Sequence, residues 1–389
     1  MTKNNLVIFI LTLGVFSILN TEMGVVGILP IIADIYNVEI STAGLLVSLF
    51  ALGVAISGPI LPLLLSKYNR KNIMLISLSI FFICNLISAF AQDFITVLIA
   101  RVIPAFWHPV YVSLAFAIAS SSVKPDEAPK AVAKVMVGVS AGMVLGVPIM
   151  SYIANIFSLK IAMIVFAFVN LIALIATIIY VPTMPVKEKM SYGSQLKILQ
   201  DKYLWWALIA VILLNGANFG VYSYIADYLE RITQMSAEYI SITLLIFGLA
   251  NILGNIIAGF LLTKRALLFI GIYPYLLICV FLMIFYLGHL NFIMMGIVLI
   301  WGILVGCAGN INQYWIMKFA SNVPDFANAL FLVSTNIGTC IAAFYCGLFI
   351  DYWGVNKVIL GGISFVIFSI IFFLIGIRNN IKMKKGIEF

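Results

Sequence analysis

The chain has 389 residues, of which 64% are hydrophobic and 9% charged, and its mean hydropathy is +1.17. Ordinary soluble domains carry roughly 25% charged residues, and an aqueous fold of this length could not bury so much apolar surface, so composition excludes a soluble enzyme or binding module and predicts an all-α polytopic membrane protein. The net charge of +8 does not point to nucleic acid, because the basic residues fall almost wholly in alternate loops.

Apolar runs separated by charged or turn-forming clusters predict twelve transmembrane helices, at roughly 6–31, 41–65, 73–91, 94–120, 131–156, 161–181, 203–226, 237–262, 267–288, 291–317, 328–350 and 357–377. The first follows Lys3 with no small-residue cleavage site before Glu22, and reads as an uncleaved span. With the N-terminus inside, the cytoplasmic loops and tails hold Lys3, Lys67, Arg70, Lys71, Lys124, Lys130, Lys134, Lys187, Lys189, Lys197, Lys202, Lys264, Arg265, Lys318, Arg378, Lys382, Lys384 and Lys385. The opposite side holds only Lys160, Arg231 and Lys357. This asymmetry predicts both termini in the cytoplasm of a cell whose inner (plasma) membrane the chain crosses. The longest polar interval, 183–202, reads as a cytoplasmic linker between a six-helix bundle at 1–182 and a second at 203–389 with a short tail. The halves echo each other weakly: Gly58 through Arg70-Lys71 follows span two, and Gly259 through Lys264-Arg265 follows span eight.

Two fixed charges lie well inside spans. Glu22 stands in an otherwise uncharged stretch from Leu6 to Ala33, and Arg101 stands in span four. Even lenient insertion scales charge such a residue roughly 2.5 kcal/mol, so it normally faces a polar interior or a proton pathway. At 1.5 Å rise per residue, Glu22 lies roughly 7 Å and Arg101 roughly 9 Å to the outer side of their span centres. Opposite charges at one depth are expected to pair, either as a fastening between helices or as a switch that protonation of Glu22 releases. His108 follows Arg101 by two turns on nearly the same face, bracketed by Pro104 and Pro109. Proton relay, a hydrogen bond to substrate, and a buried imidazole held by a backbone carbonyl all remain open for it.

Span five carries Gly138, Gly142 and Gly146 at every fourth position, followed by Pro148. Such spacing leaves a groove into which another backbone fits closely, and the proline bends the helix beyond it. The second half has no central charge but many amides and aromatics: Asn215, Asn218, Tyr222 and Tyr224 in span seven, Asn251 and Asn255 in span eight, Asn310, Asn312, Gln313 and Tyr314 in span ten, and Asn336 in span eleven. Asn251 and Asn255, one turn apart, suit bonding to a neighbouring helix. Asn215, Asn218, Tyr222, Asn310, Gln313, Tyr314 and Asn336, with Asn20, Trp107 and Tyr111 of the first half, are the candidate walls of a cavity for an uncharged or amphipathic small molecule. The five cysteines lie in apolar segments without metal-ligand or redox spacing, and neither a metal nor a cofactor is expected. A membrane enzyme is disfavoured by the lack of a metal-ligand cluster, nucleophile elbow or phosphate loop, and a receptor by the lack of a soluble sensing or output domain.

Several runs together resemble the major facilitator superfamily, in particular its bacterial twelve-span drug:proton antiporters and their sugar and purine-nucleoside efflux relatives. They are Thr21-Glu22 through Gly27, Leu29-Pro30 and Ala33; Ala43-Gly44, Ser48 and Ala51-Leu52-Gly53-Val54-Ala55 to Pro59; Ile99-Ala100-Arg101-Val102; Gly138 to Pro148; and Asn336-Ile337-Gly338. Gly138 to Pro148 looks like the fifth-span motif associated with exporters. The loop Ser66-Lys67-Tyr68-Asn69-Arg70-Lys71 departs from the family pattern, which has Asp first and Gly fourth, although its basic residues Lys67 and Arg70 remain. Thr263 stands where the equivalent second-half loop would hold an acid, and Lys160 replaces an arginine common after span five. The resemblance implies two pseudo-symmetric six-helix bundles around a cavity lined mainly by spans one, four, seven and ten and opening alternately to each side. The leading reading is a monomeric secondary transporter that exports a small organic molecule, a drug-like compound or a metabolite, in exchange for protons, with Glu22 as the coupling carboxylate, Arg101 as its partner and His108 as a further candidate for proton coupling. A nucleoside or sugar facilitator without proton coupling is the alternative. The charge asymmetry makes a direct prediction: a fluorescent protein fused after residue 389 fluoresces, whereas alkaline phosphatase at the same place is inactive.

Overall fold

A computed structural model describes residues 3–124, 127–183, 193–322 and 324–384. Among them the secondary structure is helical, without a strand. Lys187, Lys189 and Lys385 of the charge count, and residues 184–192 of the expected linker, lie outside the described residues.

The first span is a broken helix: α1 (Lys3–Gly24), one 3-10 segment (Val25–Ile28) and α2 (Leu29–Tyr36). Pro30 sits in the first turn of α2 and has no N–H for the carbonyl of Val26, and Ile28 leaves helical geometry at φ −122° and ψ 8°. There follow α3 (Ile40–Leu65), α4 (Arg70–Phe90), α5 (Phe94–Ser121), α6 (Ala128–Ile156) and α7 (Leu159–Tyr180). The seventh span is broken like the first, into α8 (Lys202–Tyr222) and α9 (Ile225–Arg231). Then come α10 (Ala237–Leu287), α11 (Asn291–Phe319), α12 (Pro324–Trp353) and α13 (Val358–Lys384). Eleven stretches among the described residues are long and apolar enough to cross a membrane. The twelve expected spans appear as eleven because spans eight and nine run together in the 51 residues of α10, whose one non-helical residue, Arg265 (φ −144°, ψ 52°), falls at the expected loop.

Turn chemistry at the helix starts follows capping rules. Asn69 accepts from the Lys71 N–H at 3.0 Å, Asp93 from the Thr96 N–H at 2.9 Å, and Asp201 from the Tyr203 N–H at 2.8 Å. The backbone and hydroxyl donors of Thr96 hold the Asp93 carboxyl below the ordinary carboxylate range.

The chain forms two compact units, Met1–Ser191 with Ile240–Leu245, and Tyr192–Tyr239 with Ile246–Phe389. Within the first, α1 packs on α6, α3 on α5, and α4 on α7. Within the second, α8 packs on α12 and α13. The pairing of spans one and five thus recurs as the pairing of spans seven and eleven, the mark of a duplicated bundle. Outward-facing side chains such as Phe9, Phe168 and Ile179, or Ile256, Phe260 and Phe292, are more than half exposed. Water would not tolerate so much apolar surface, and lipid does.

Because lipid tails are as apolar as leucine, helices in a bilayer associate through close fit and hydrogen bonds. The glycines of α6 provide that fit. A Cβ on Gly138 would run into the backbone carbonyl of Thr12, one on Gly142 would lie 2.6 Å from Leu19 Cβ, and one on Gly146 would meet Asn20 at 3.2 Å. Gly338 of α12 meets the carbonyl of Ile212 in α8 the same way. Gly138→Val therefore lowers stability in detergent by about 1–3 kcal/mol, the usual cost of overpacking. Gly259→Ala, where an added Cβ meets nothing within 4 Å, is neutral or slightly stabilising; thermal unfolding of both variants measures the contrast.

Candidate functional site

In the first unit the break in span one gathers the polar side chains. A helix end leaves its last carbonyls without intrahelical donors, and those oxygens carry the negative end of the helix dipole. Arg101 of α5 reaches this end of α1. Its Nη1 donates to the Thr21 carbonyl and its Nη2 to the Glu22 carbonyl, each at 2.5 Å. The guanidinium is a charged cap for the broken helix.

The Glu22 carboxylate has a different neighbour. Its Oε2 lies 3.1 Å from Nε2 of His108, with both side chains only slightly exposed, at 12% and 13%. The pair stands off the alignment of a hydrogen bond, and among the described residues His108 Nδ1 and Arg101 Nε have no hydrogen-bond partner. The expected pairing of the Glu22 carboxylate with Arg101 is thereby corrected: Arg101 holds the backbone of Glu22, and His108 holds its carboxylate. The reason is side-chain direction. A helical side chain leans towards the N-terminus of its own helix. Successive spans alternate in direction, so α1 and α5 run oppositely. Glu22 leans towards the start of α1 and His108 towards the start of α5 until they meet, while Arg101, also leaning towards the start of α5, reaches the carbonyls at the end of α1. Comparing Cα depths alone pairs the wrong groups.

Neutral residues complete the cluster. Thr21 Oγ1 donates to the Ser17 carbonyl at 3.0 Å and accepts from the amide of Asn170 in α7 at 2.9 Å and from that of Asn85 in α4 at 3.2 Å. Asn170 also donates to its own helix at the Phe166 carbonyl, 2.9 Å away. Phe50 of α3 lies beneath the guanidinium, 4.6 Å from its Cζ to the ring centroid, and its edge meets the His108 ring at 6.2 Å. Sequence reasoning missed Asn85, Asn170, Thr21 and Phe50. The two asparagines carried a signal, since each is a lone amide in an apolar span, where a polar group needs a partner.

The candidate cavity residues separate into two groups. Tyr111 is fully buried against Gly14, which has no side chain to exclude the ring, so it belongs to the core and not to an open wall. Asn218 and Tyr222 are buried likewise. Asn218 accepts from Trp301 Nε1 at 3.2 Å, and Tyr222 stacks on Phe247 with centroids 4.5 Å apart. Asn215, also buried, donates to the Thr335 carbonyl at 2.7 Å and to Thr339 Oγ1 at 3.0 Å, joining α8 to α12. Asn20 is buried beside Gly146, and Trp107 is half-buried against the core. Asn310, Tyr314 and Asn336 are half-buried and Gln313 is exposed. Asn310 donates to Asn255 Oδ1 at 2.6 Å, Gln313 to Asn328 Oδ1 at 3.3 Å, and Asn336 to the Leu332 carbonyl at 2.9 Å. Gly138, Gly142 and Gly146 line the α1 contact, and Pro148 lies within α6. Lys67 sits over the ring of Tyr68, Arg70 opens α4, and Lys71 Nζ donates to the Ile178 carbonyl near the end of α7 at 2.8 Å.

A helical bundle repeated within one chain, with a buried carboxylate and imidazole at a broken membrane span, defines a secondary-transporter architecture. Residues 11–343 match the Major Facilitator Superfamily, and the chain belongs to that family. It is 30% identical over 370 residues to the uncharacterized MFS-type transporter YtbD of Bacillus subtilis (strain 168), covering 92% of this chain and 91% of that one. A probable sugar efflux transporter of Helicobacter acinonychis (strain Sheeba) is 28% identical over 362 residues, 92% of this chain and 90% of that protein. Among solved structures, the nucleoside transporter NupG has a TM-score of 0.81 at 14% identity, covering 96% of this chain and all of that one. A bacterial homolog of the human lysosomal transporter Spinster, in an inward-facing and unoccupied conformation, has a TM-score of 0.78 at 14% identity, covering 98% of each chain. These two structures share the fold.

The capping role of Arg101 is measurable. Arg101→Gln strips a charged donor from two carbonyls, at roughly 1.5–3 kcal/mol per charge-assisted hydrogen bond, and lowers the melting temperature markedly. Arg101→Lys recovers part of the loss, because an ammonium cannot reproduce the planar fork.

Proposed function

We propose that the protein is a proton-coupled exporter of a small organic molecule, working by alternating access, with Glu22 and His108 as the groups that take up and release the proton. The observation that carries the reading is the carboxylate–imidazole contact at 3.1 Å, at membrane depth beside the break in span one. A proton on Glu22 cancels the charge that attracts an imidazolium, so the tie between α1 and α5 weakens. The two conformations of a transporter exchange populations only if something binds them differently. Here that difference is the strength of one contact in the two protonation states. Arg101 stays charged and capped throughout, so α1 keeps its broken shape while the carboxylate changes state. The glycine groove of α6 against α1, which resembles the exporter motif, supports outward transport.

For the substrate, an uncharged hydroxylated molecule of the sugar type is the reading that the names of relatives support. The chain of amides from Asn251 through Asn255 to Asn310 would supply donors and acceptors for hydroxyl groups. A drug-like amphipathic molecule is the alternative cargo.

Purified protein is screened by thermal shift against sugars, nucleosides and antibiotics, since a ligand selective for the folded state raises the melting temperature. The stabilising compound then drives proton movement in proteoliposomes. Glu22→Gln and His108→Gln each abolish that coupling while keeping the thermal shift. Undiminished coupling in Glu22→Gln would overturn the assignment.

A further inference from the structure

We propose that Phe50 is a positioning residue that keeps the Arg101 guanidinium on the end of α1 and off the Glu22 carboxylate, leaving the carboxylate to His108. The inference rests on the reading of Glu22 and His108 as the proton site. Phe50 is 2% exposed, and its one ring touches both basic side chains of α5. The guanidinium lies over the ring, where the aromatic quadrupole attracts a cation most strongly when water is excluded. The imidazole meets the same ring at an interplanar angle of 67°.

The alternative arrangement lies close by. Arg101 already touches the backbone of Glu22, and a bidentate contact with the ionised carboxylate is the strongest pairing open to a guanidinium. Two carbonyls and an aromatic face, together fixing the plane of the fork, hold the side chain where it is. The charged or titratable groups facing the site are Glu22 on α1 and Arg101 and His108 on α5. The other elements packed around it bring Phe50 from α3, Asn85 from α4, Gly142 and Gly146 from α6 and Asn170 from α7, all uncharged. Among the described residues no second anion is at hand to occupy Arg101, so its separation from the carboxylate falls to the ring.

The duplicated unit provides an internal comparison. Phe247 lies ten residues after the first residue of α10, as Phe50 does in α3. It too is a buried aromatic platform, under neutral neighbours: Tyr222 at 4.5 Å and Trp301 at 5.2 Å between centroids. The platform is common to both units, and only in the first does it carry a cation.

The test is an infrared difference spectrum of the full chain in lipid nanodiscs, at about pH 9, where a carboxylate of ordinary affinity is ionised. The Glu22 carboxylate stretch is identified as the band that Glu22→Gln removes. Phe50→Leu shifts this band as the guanidinium moves onto the carboxylate, and Phe50→Tyr, which keeps the ring, leaves it in place. Adding Arg101→Gln to Phe50→Leu abolishes the shift. Phe50→Met, which fills similar volume without a π face, replaces the leucine variant if that one does not fold. A band that stays put in the folded leucine or methionine variant overturns the proposal. If the band shifts but no pH gradient drives transport by the unaltered protein, the positioning role stands and the proton role falls.

Discussion

Backbone groups at membrane depth must find partners within the protein, because lipid offers none. Breaking span one between Gly24 and Leu29 exposes carbonyl oxygens at the end of α1, and Arg101 answers them with a planar pair of donors. The rest of the site depends on this contact. With the guanidinium committed to the backbone, the carboxylate of the same glutamate is left for the imidazole of His108, which can lose its charge where arginine cannot.

The second unit shows that a broken span does not itself demand a charge. Where α8 gives way to α9, Ser223 bonds back to the Phe219 carbonyl through both its N–H and its hydroxyl, and Tyr224 donates to the Ala343 carbonyl of α12. Neutral donors close that break. Around it Asn218, Tyr222, Phe247 and Trp301 form a packed polar and aromatic cluster. The two units share the break and the aromatic platform, and each has its own ionisable pair beside the break, Glu22 with His108 in the first and the buried Asp227 with Arg231 in the second.

Much of the fold was legible in the chain because membrane spans are written in composition. Runs of apolar residues, the placement of lysine and arginine, and the fourfold glycine spacing of Gly138, Gly142 and Gly146 each follow from the solvent properties of a bilayer, without reference to distant contacts. The site was legible only in part. Glu22, Arg101 and His108 stood out because polar groups at depth are costly, yet their pairing was misread from Cα depth. Tyr111 and Tyr222 looked like cavity walls because tyrosine suits binding sites, and Gly14 and Phe247 place them in the core instead. Phe50 gave no signal, since one phenylalanine among 29 says nothing of what lies over its face.

By itself, then, the sequence determined the membrane class, the approximate spans, the expected orientation and the identity of the costly groups, since each depends on local composition and on the transfer energy of single residues. Which group meets which was decided by the tertiary structure. Opposed helix directions, the break at Gly24 and the ring of Phe50 set side-chain reach across 80 residues of chain between Thr21 and Arg101. Such contacts depend on direction and register between helices, and those have no trace in composition.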